Sequence, residues 1–257
     1  MVTTSIKKRA VKNFKYLCFV IAILFGTNVF SQSTYNVENF EKVVVNPHIQ
    51  VTFVQGDETS VTVNSNLVSN DKLNVEVKGN TLHIYLDGAR VYTKSEKCEE
   101  NNWKAKRSLY HGTIVTATIY YKTINSLSLR GEENFVFESL IKQDKLKLKV
   151  YGEPQISFNA LELKELNTTM YGAGILEVKT GSIENNRTTC FGECKVNTPD
   201  IRSRKSKVTA FGEGEFNLNV SDHLKVTAFG EATVSYQGNP EVNKGIILGE
   251  ATIKKTK

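Results

Sequence analysis

The sequence predicts an all-β protein, with an N-terminal strand region continuing into a parallel β-solenoid, β-helix-like, built from repeats of about 20 residues. The first ground is a phrase that returns seven times between Asn125 and Ile253. It reads Arg130-Gly131-Glu132, Tyr151-Gly152-Glu153, Tyr171-Gly172-Ala173, Phe191-Gly192-Glu193, Phe211-Gly212-Glu213, Phe229-Gly230-Glu231 and Leu248-Gly249-Glu250, with the glycines 21, 20, 20, 20, 18 and 19 residues apart. A steady period near twenty marks stacked repeats. The second ground is alternation. Two residues before each glycine stand Leu129, Val150, Met170, Cys190, Ala210, Ala228 and Ile247, and four after stand Phe135, Ile156, Leu176, Val196, Phe216, Val234 and Ile253. Even offsets are apolar or small and odd offsets are polar, aromatic or acidic, which is strand periodicity. The third ground is size: so short a unit cannot bury its own apolar face, so neighbours must stack.

Residues 1–31 come first in the chain. Lys7, Lys8, Arg9, Lys12 and Lys15 precede an apolar run from Tyr16 to Phe25, and Val29-Phe30-Ser31-Gln32 follows. This reads as a secretory signal peptide cleaved at Ser31/Gln32. A retained anchor is the alternative, but the run is shorter than the roughly twenty residues of a span, and no later stretch could form a transmembrane segment. The expected destination is the periplasm, cell surface or extracellular space. The segment holds five basic side chains and no acid, so the formal charge falls from +6 to +1 after cleavage. That leaves no surplus of positive charge to argue for nucleic acid.

Residues 32–122 form the N-terminal β region. Phe40, Val43 and Val45, then Ile49, Val51 and Phe53, then Val61 and Val63, then Leu73, Val75 and Val77, then Leu82, Ile84 and Leu86 alternate between turn-like separators. These are strands in meander or hairpin order. A polar insertion at 88–112, carrying Trp103 and Cys98, reads as a surface loop, functional or disordered.

Residues 123–257 form the Gly-Glu repeat solenoid. The glycine keeps phase with the inward set, which points to a bend or a close approach of layers; a hairpin turn would not recur in that phase. Stacking turns each odd offset into an outward column with a spacing of about 4.8 Å. One is aromatic: Tyr151, Tyr171, Phe191, Phe211 and Phe229. One is acidic, with Glu193, Glu213, Glu231 and Glu250 as its better half, because Ala173 interrupts it. One is threonine, and one is basic (Lys147, Arg187, Lys207, Lys225), the latter read as solvated edge positions.

The opening Phe40-Glu41-Lys42-Val43-Val44-Val45 with Ile49-Gln50-Val51-Thr52-Phe53-Val54-Gln55-Gly56-Asp57, the serial glycines, and the closing Tyr236-Gln237-Gly238-Asn239-Pro240 resemble the auto-transporter adhesin head domain, or head GIN domain, of Bacteroidetes-type secreted proteins. The resemblance implies a β-helix-like cell-envelope protein with an adhesive role. The chain departs from the usual glycine-small-glycine phrase: Tyr171-Gly172-Ala173-Gly174 keeps it, whereas six repeats place glutamate after the first glycine.

Carboxylates one strand apart repel by about 0.9 kcal/mol in water and roughly 3 to 4 at an effective dielectric of about 20. Splaying into water, pairing with lysine, or binding Ca²⁺ through clustered oxygens would each relieve this. The aromatic column, if exposed, is an interaction surface: sugar rings stack on aromatic faces, and threonine and glutamate bond hydroxyls. Alternatively the insertion or a second protomer covers it, or the chain twists it inward. The expected partners are a cell-surface glycan, an envelope protein or a second copy. The expected function is therefore an adhesin or carbohydrate-recognition module, the alternative being a structural, self-associating envelope protein. His48, His83, His111 and His223 lack ligand-like spacing and no catalytic constellation is visible, so no enzyme is expected. Cys190 and Cys194, four residues apart on an extended path of roughly 13 Å, read as buried thiols beyond disulfide reach; Cys98 reads as free or paired between molecules.

Overall fold

Alternation gives every strand one apolar and one polar face, and this chain buries the apolar faces by coiling the strands about a shared interior. The structure, a computed structural model, describes residues 33–100 and 103–256. The segment 1–31, read from sequence as a signal peptide, lies outside them. The strands are β1 (Ser33–Asn36), β2 (Lys42–Val45), β3 (Ile49–Gln55), β4 (Ser60–Asn66), β5 (Leu73–Lys78), β6 (Thr81–Leu86), β7 (Ser95–Glu100), β8 (Trp103–Ser108) and β9 (Val115–Tyr121). They continue as β10 (Ser126–Gly131), β11 (Asn134–Gly152), β12 (Gln155–Gly172), β13 (Ile175–Val178), β14 (Gly181–Phe191), β15 (Lys195–Phe211), β16 (Gly214–Gln237) and β17 (Glu241–Lys255). No helix among the described residues is long and apolar enough to cross a membrane.

From β10 onward every pairing is parallel, and equivalent repeat positions face each other: Tyr151 pairs Tyr171, Tyr171 pairs Phe191, and Phe211 pairs Phe229. The solenoid expected from the period is the observed fold. The N-terminal strands differ from the expected meander. β2 pairs in parallel with both β6 and β10, and β3 with both β9 and β11, so they form coils of the same stack. Antiparallel pairs occur where β1 meets β4, β4 meets β9 and β5 meets β6. Turn-like separators look the same in sequence whether the next strand folds back or goes round.

The inward residues build one continuous core. Leu129, Val150, Met170, Cys190, Ala210 and Ala228 are buried one above another, as are Phe135, Ile156, Leu176, Val196, Phe216 and Val234. An interior stack of Phe53, Phe137 and Phe158, with centroids 4.2 and 4.1 Å apart, fills the N-terminal part. The insertion is not a structureless loop: β7 and β8 form a two-stranded antiparallel ribbon. Its polar alternation provides no apolar face, so its strand character was not legible as core. Cys98 lies in β7, with its side chain outside the described residues, as is that of Trp103.

Candidate functional site: the corner surface

The site is made by the glycine corner. Each repeat glycine has a positive φ, from 97° at Gly152 to 128° at Gly230, a region that side chains disfavour. The coils also approach closely here: a Cβ on Gly192 would lie 2.5 Å from the carbonyl oxygen of Gly172, one coil earlier. The expected bend and close approach are both present. The glycines are not inward residues, however; they are half-exposed or exposed. The positive φ turns the corner on the glycine itself, and the inward phase resumes two residues later at Pro154, Gly174, Cys194, Gly214 and Ala232, all buried. At three successive corners the carbonyl of the lower glycine accepts the N–H of the residue that follows the next glycine: Glu153 to Gly131 at 3.0 Å, Ala173 to Gly152 at 3.1 Å and Glu193 to Gly172 at 3.1 Å.

Immediately before the corner, the five aromatic residues form one outward ladder. Tyr151, Tyr171, Phe191, Phe211 and Phe229 stack with centroids 5.1, 4.9, 4.7 and 4.8 Å apart and planes within 8° of parallel. Tyr171 is 41% exposed, and Phe191 and Phe211 are each 37% exposed. Neither the insertion nor a twist of the chain covers these three. Because neighbouring rings lie face to face, the interior rungs turn edges rather than open faces to solvent. The face-on sugar stacking expected from sequence is therefore not on offer along the ladder; what it offers is a ribbed apolar strip.

Immediately after the corner, Glu193, Glu213, Glu231 and Glu250 form an exposed acidic row. With Lys195, Glu215 and Thr233 opposite, they bound a shallow groove of about 490 Å³ floored by Cys194, Gly214 and Ala232. Among the described residues none of the four carboxylates is ion-paired, whereas Lys195 and Glu215 approach to 3.9 Å. The row runs along the stack, so its carboxylates do not converge: among the described residues no three His, Cys, Asp or Glu side chains could hold a metal ion together.

The ladder's N-terminal end is closed. Arg130 takes the aromatic position of the first coil, and its guanidinium lies over the Tyr151 ring, 5.0 Å from the centroid. Behind it Glu133, only 6% exposed, stands in the column otherwise held by small residues. Its Oε2 accepts the N–H of Glu132 at 3.0 Å and its Oε1 the N–H of His48 at 3.0 Å. The first corner has no repeat glycine beneath it, and this carboxylate supplies the missing acceptor. Burial pushes the Glu133 carboxyl above its ordinary range, against the backbone donors and His48, which favour the charged form. His48 turns the preceding corner at φ 72°. Its ring nitrogens lie 2.7 Å from the Gly112 carbonyl and 2.6 Å from Thr93 Oγ1, which ties both ends of the insertion to the stack. Sequence reasoning missed Arg130, Glu133 and His48. The available signal was the break in each column: arginine among aromatics and glutamate among small residues.

Cys190 and Cys194 are joined by a disulfide with Cα atoms 6.1 Å apart. The expectation of two separate thiols fails because the path between them is not extended; the corner at Gly192 folds it back within bonding range. The bond brackets Phe191, Gly192 and Glu193 at the centre of the surface.

The family described as "Putative auto-transporter adhesin, head GIN domain" matches residues 39–240. No match is found among curated proteins. A putative adhesin from Bacteroides fragilis superimposes with a TM-score of 0.71 at 19% identity, over 88% of this chain and 96% of its own. A putative adhesin from Parabacteroides merdae gives 0.60 at 19% identity, over 90% and 98%. A putative lipid binding protein from Parabacteroides distasonis gives 0.59 at 19% identity, over 88% and 96%. At this identity the likeness is one of fold.

Proposed function

The chain belongs to the head GIN domain family of auto-transporter adhesins, and from that premise we propose that it is an exported adhesin-type module that holds a saccharide chain of a cell surface along the corner. The observation that carries this reading is the pairing of two rows at strand spacing, an exposed apolar ladder on one side of the glycines and unpaired carboxylates on the other. Saccharides present alternating apolar C–H patches and hydroxyls. Ring edges and threonines meet the former and latter on one side, and the glutamates accept hydroxyl hydrogens on the other. The disulfide supports export, since such bonds persist in oxidising compartments. An oligosaccharide array probed with the protein, with Phe191→Ser/Phe211→Ser and with Glu193→Gln/Glu213→Gln, tests it. Binding that both variants weaken supports it, and an array on which the protein binds nothing sinks it.

A second reading is favoured by the covered ring faces: a ribbed, flat apolar strip also suits packing against a second copy. In that case Phe191→Ser/Phe211→Ser would lower the solution mass.

A further inference from the structure

We infer that the ladder is a blind-ended track whose closed end binds the carboxylate of an acidic terminal sugar through Arg130. This rests on the saccharide reading above and narrows it to a ligand class and a direction.

The closed end is a concavity of about 420 Å³ between the base of the insertion and the first two coils, with Val91, Thr93, Arg130 and Tyr151 among its lining. Val91 and Thr93 belong to the insertion, and His48 fixes its base against the stack through Thr93 and Gly112. A chain lying along the five rings therefore meets a wall at Tyr151, whereas at the other end the row passes from Phe229 to the exposed Leu248.

Arg130 is the cation at that wall. Among the described residues it has no ion pair, and its buried Nε has no hydrogen-bond partner. The face of its guanidinium is used by the Tyr151 ring. Stacking consumes the face, and with Nε buried the edge left to a ligand is that of the two terminal amino groups, whose in-plane N–H bonds can receive a carboxylate in parallel. Two acids share the concavity. Glu133 is held in the wall with both oxygens occupied by backbone N–H groups. Glu132 is exposed and opposes an anion. It therefore weakens the site rather than forming part of it, which gives the inference a second, oppositely signed consequence.

The test is an array of oligosaccharide pairs identical except at the terminal residue, where C6 is either a primary alcohol or a carboxylate. The carboxylate member of a bound pair is expected to bind about tenfold tighter or more, the ratio that a charged hydrogen-bonded pair supplies. Arg130→Gln should bring the ratio near one and Arg130→Lys should leave it intermediate, with melting temperatures confirming that both variants fold. Glu132→Gln should raise the ratio. Phe191→Ser, three coils from Arg130, should weaken both members alike. Equal binding of the two members by the wild type, or a preference that survives Arg130→Gln, overturns the anchor while leaving the ladder reading to stand on Phe191→Ser. If no pair binds, both fall.

Discussion

At the scale of the residue, the corner glycine couples backbone conformation to the surface it creates. Gly192 combines a φ of 122° with a Cβ position 2.5 Å from a carbonyl oxygen. Gly192→Ala should therefore cost roughly 1 to 3 kcal/mol for the strained conformation, with the clash added. Gly56→Ala, where a Cβ meets nothing within 4 Å, should be near neutral in the same denaturant titration; equal costs would show that the conformation is not what matters. The adjacent disulfide closes a loop of sequence separation 4, for which chain entropy predicts about 2 kcal/mol. Cys190→Ala/Cys194→Ala should lower stability by that order, and reduction of the wild type should do the same. Glu133 adds a pH dependence whose sign follows from its raised folded pKa. Between its ordinary value of 4.5 and the folded value, the folded protein binds more protons, so this group's contribution is greatest in acid and is lost as pH rises through that window. Glu133→Gln should remove it, so that the wild type loses stability relative to the variant between pH 4 and the folded pKa. A difference independent of pH would contradict the raised value.

At the scale of the element, β17 shows how the stack ends. It pairs only with β16 among the described residues, and none of its residues is buried. Such an edge is a template for pairing with another chain. Two features blunt it. Between Lys244 and Ile247, β17 has one residue more than β16 has between Val226 and Ala228, a bulge that breaks the ladder. Lys244 faces Val226 in the inward register yet is exposed, so a charge stands where every lower coil has an apolar, small or threonine side chain. Lys244→Val should raise the solution mass by light scattering as concentration increases; an unchanged mass would mean that the bulge alone suffices. These elements also show how far the sequence is legible. Alternation and period fixed the inward columns, the parallel stack and the outward ladder, because each depends on spacing alone. They could not give the coiling of β2 and β3, the ribbon of β7 and β8, or the Cys190–Cys194 bond, because each depends on where the path turns. The ladder's placement was legible and its ring orientation was not, since parity fixes a side and not a rotamer.

At the scale of the whole molecule, described residues stacked in one dimension make stability a sum of neighbour terms. On the proposed reading the aromatic ladder is both a binding strip and a structural rail, and the two roles separate by position. A middle rung such as Phe191 stacks on two rings, 4.9 and 4.7 Å away, whereas Phe229 stacks on one at 4.8 Å. At about 0.5 to 1.5 kcal/mol per ring pair beyond area burial, Phe191→Ser should cost nearly twice the stacking energy of Phe229→Ser in stability. A ligand that spans the strip would feel the two losses differently again, because a gap at Phe191 divides it and a gap at Phe229 only shortens it. Light scattering on the protein beside both variants adds the deciding axis. If the protein is an oligomer that Phe191→Ser dissociates without unfolding, the ladder is an assembly surface and the saccharide reading loses its support. If mass is unchanged while array binding falls more for Phe191→Ser than for Phe229→Ser, the strip acts as one continuous site, and its length, set by the number of stacked coils, determines how much of a surface chain the molecule can hold.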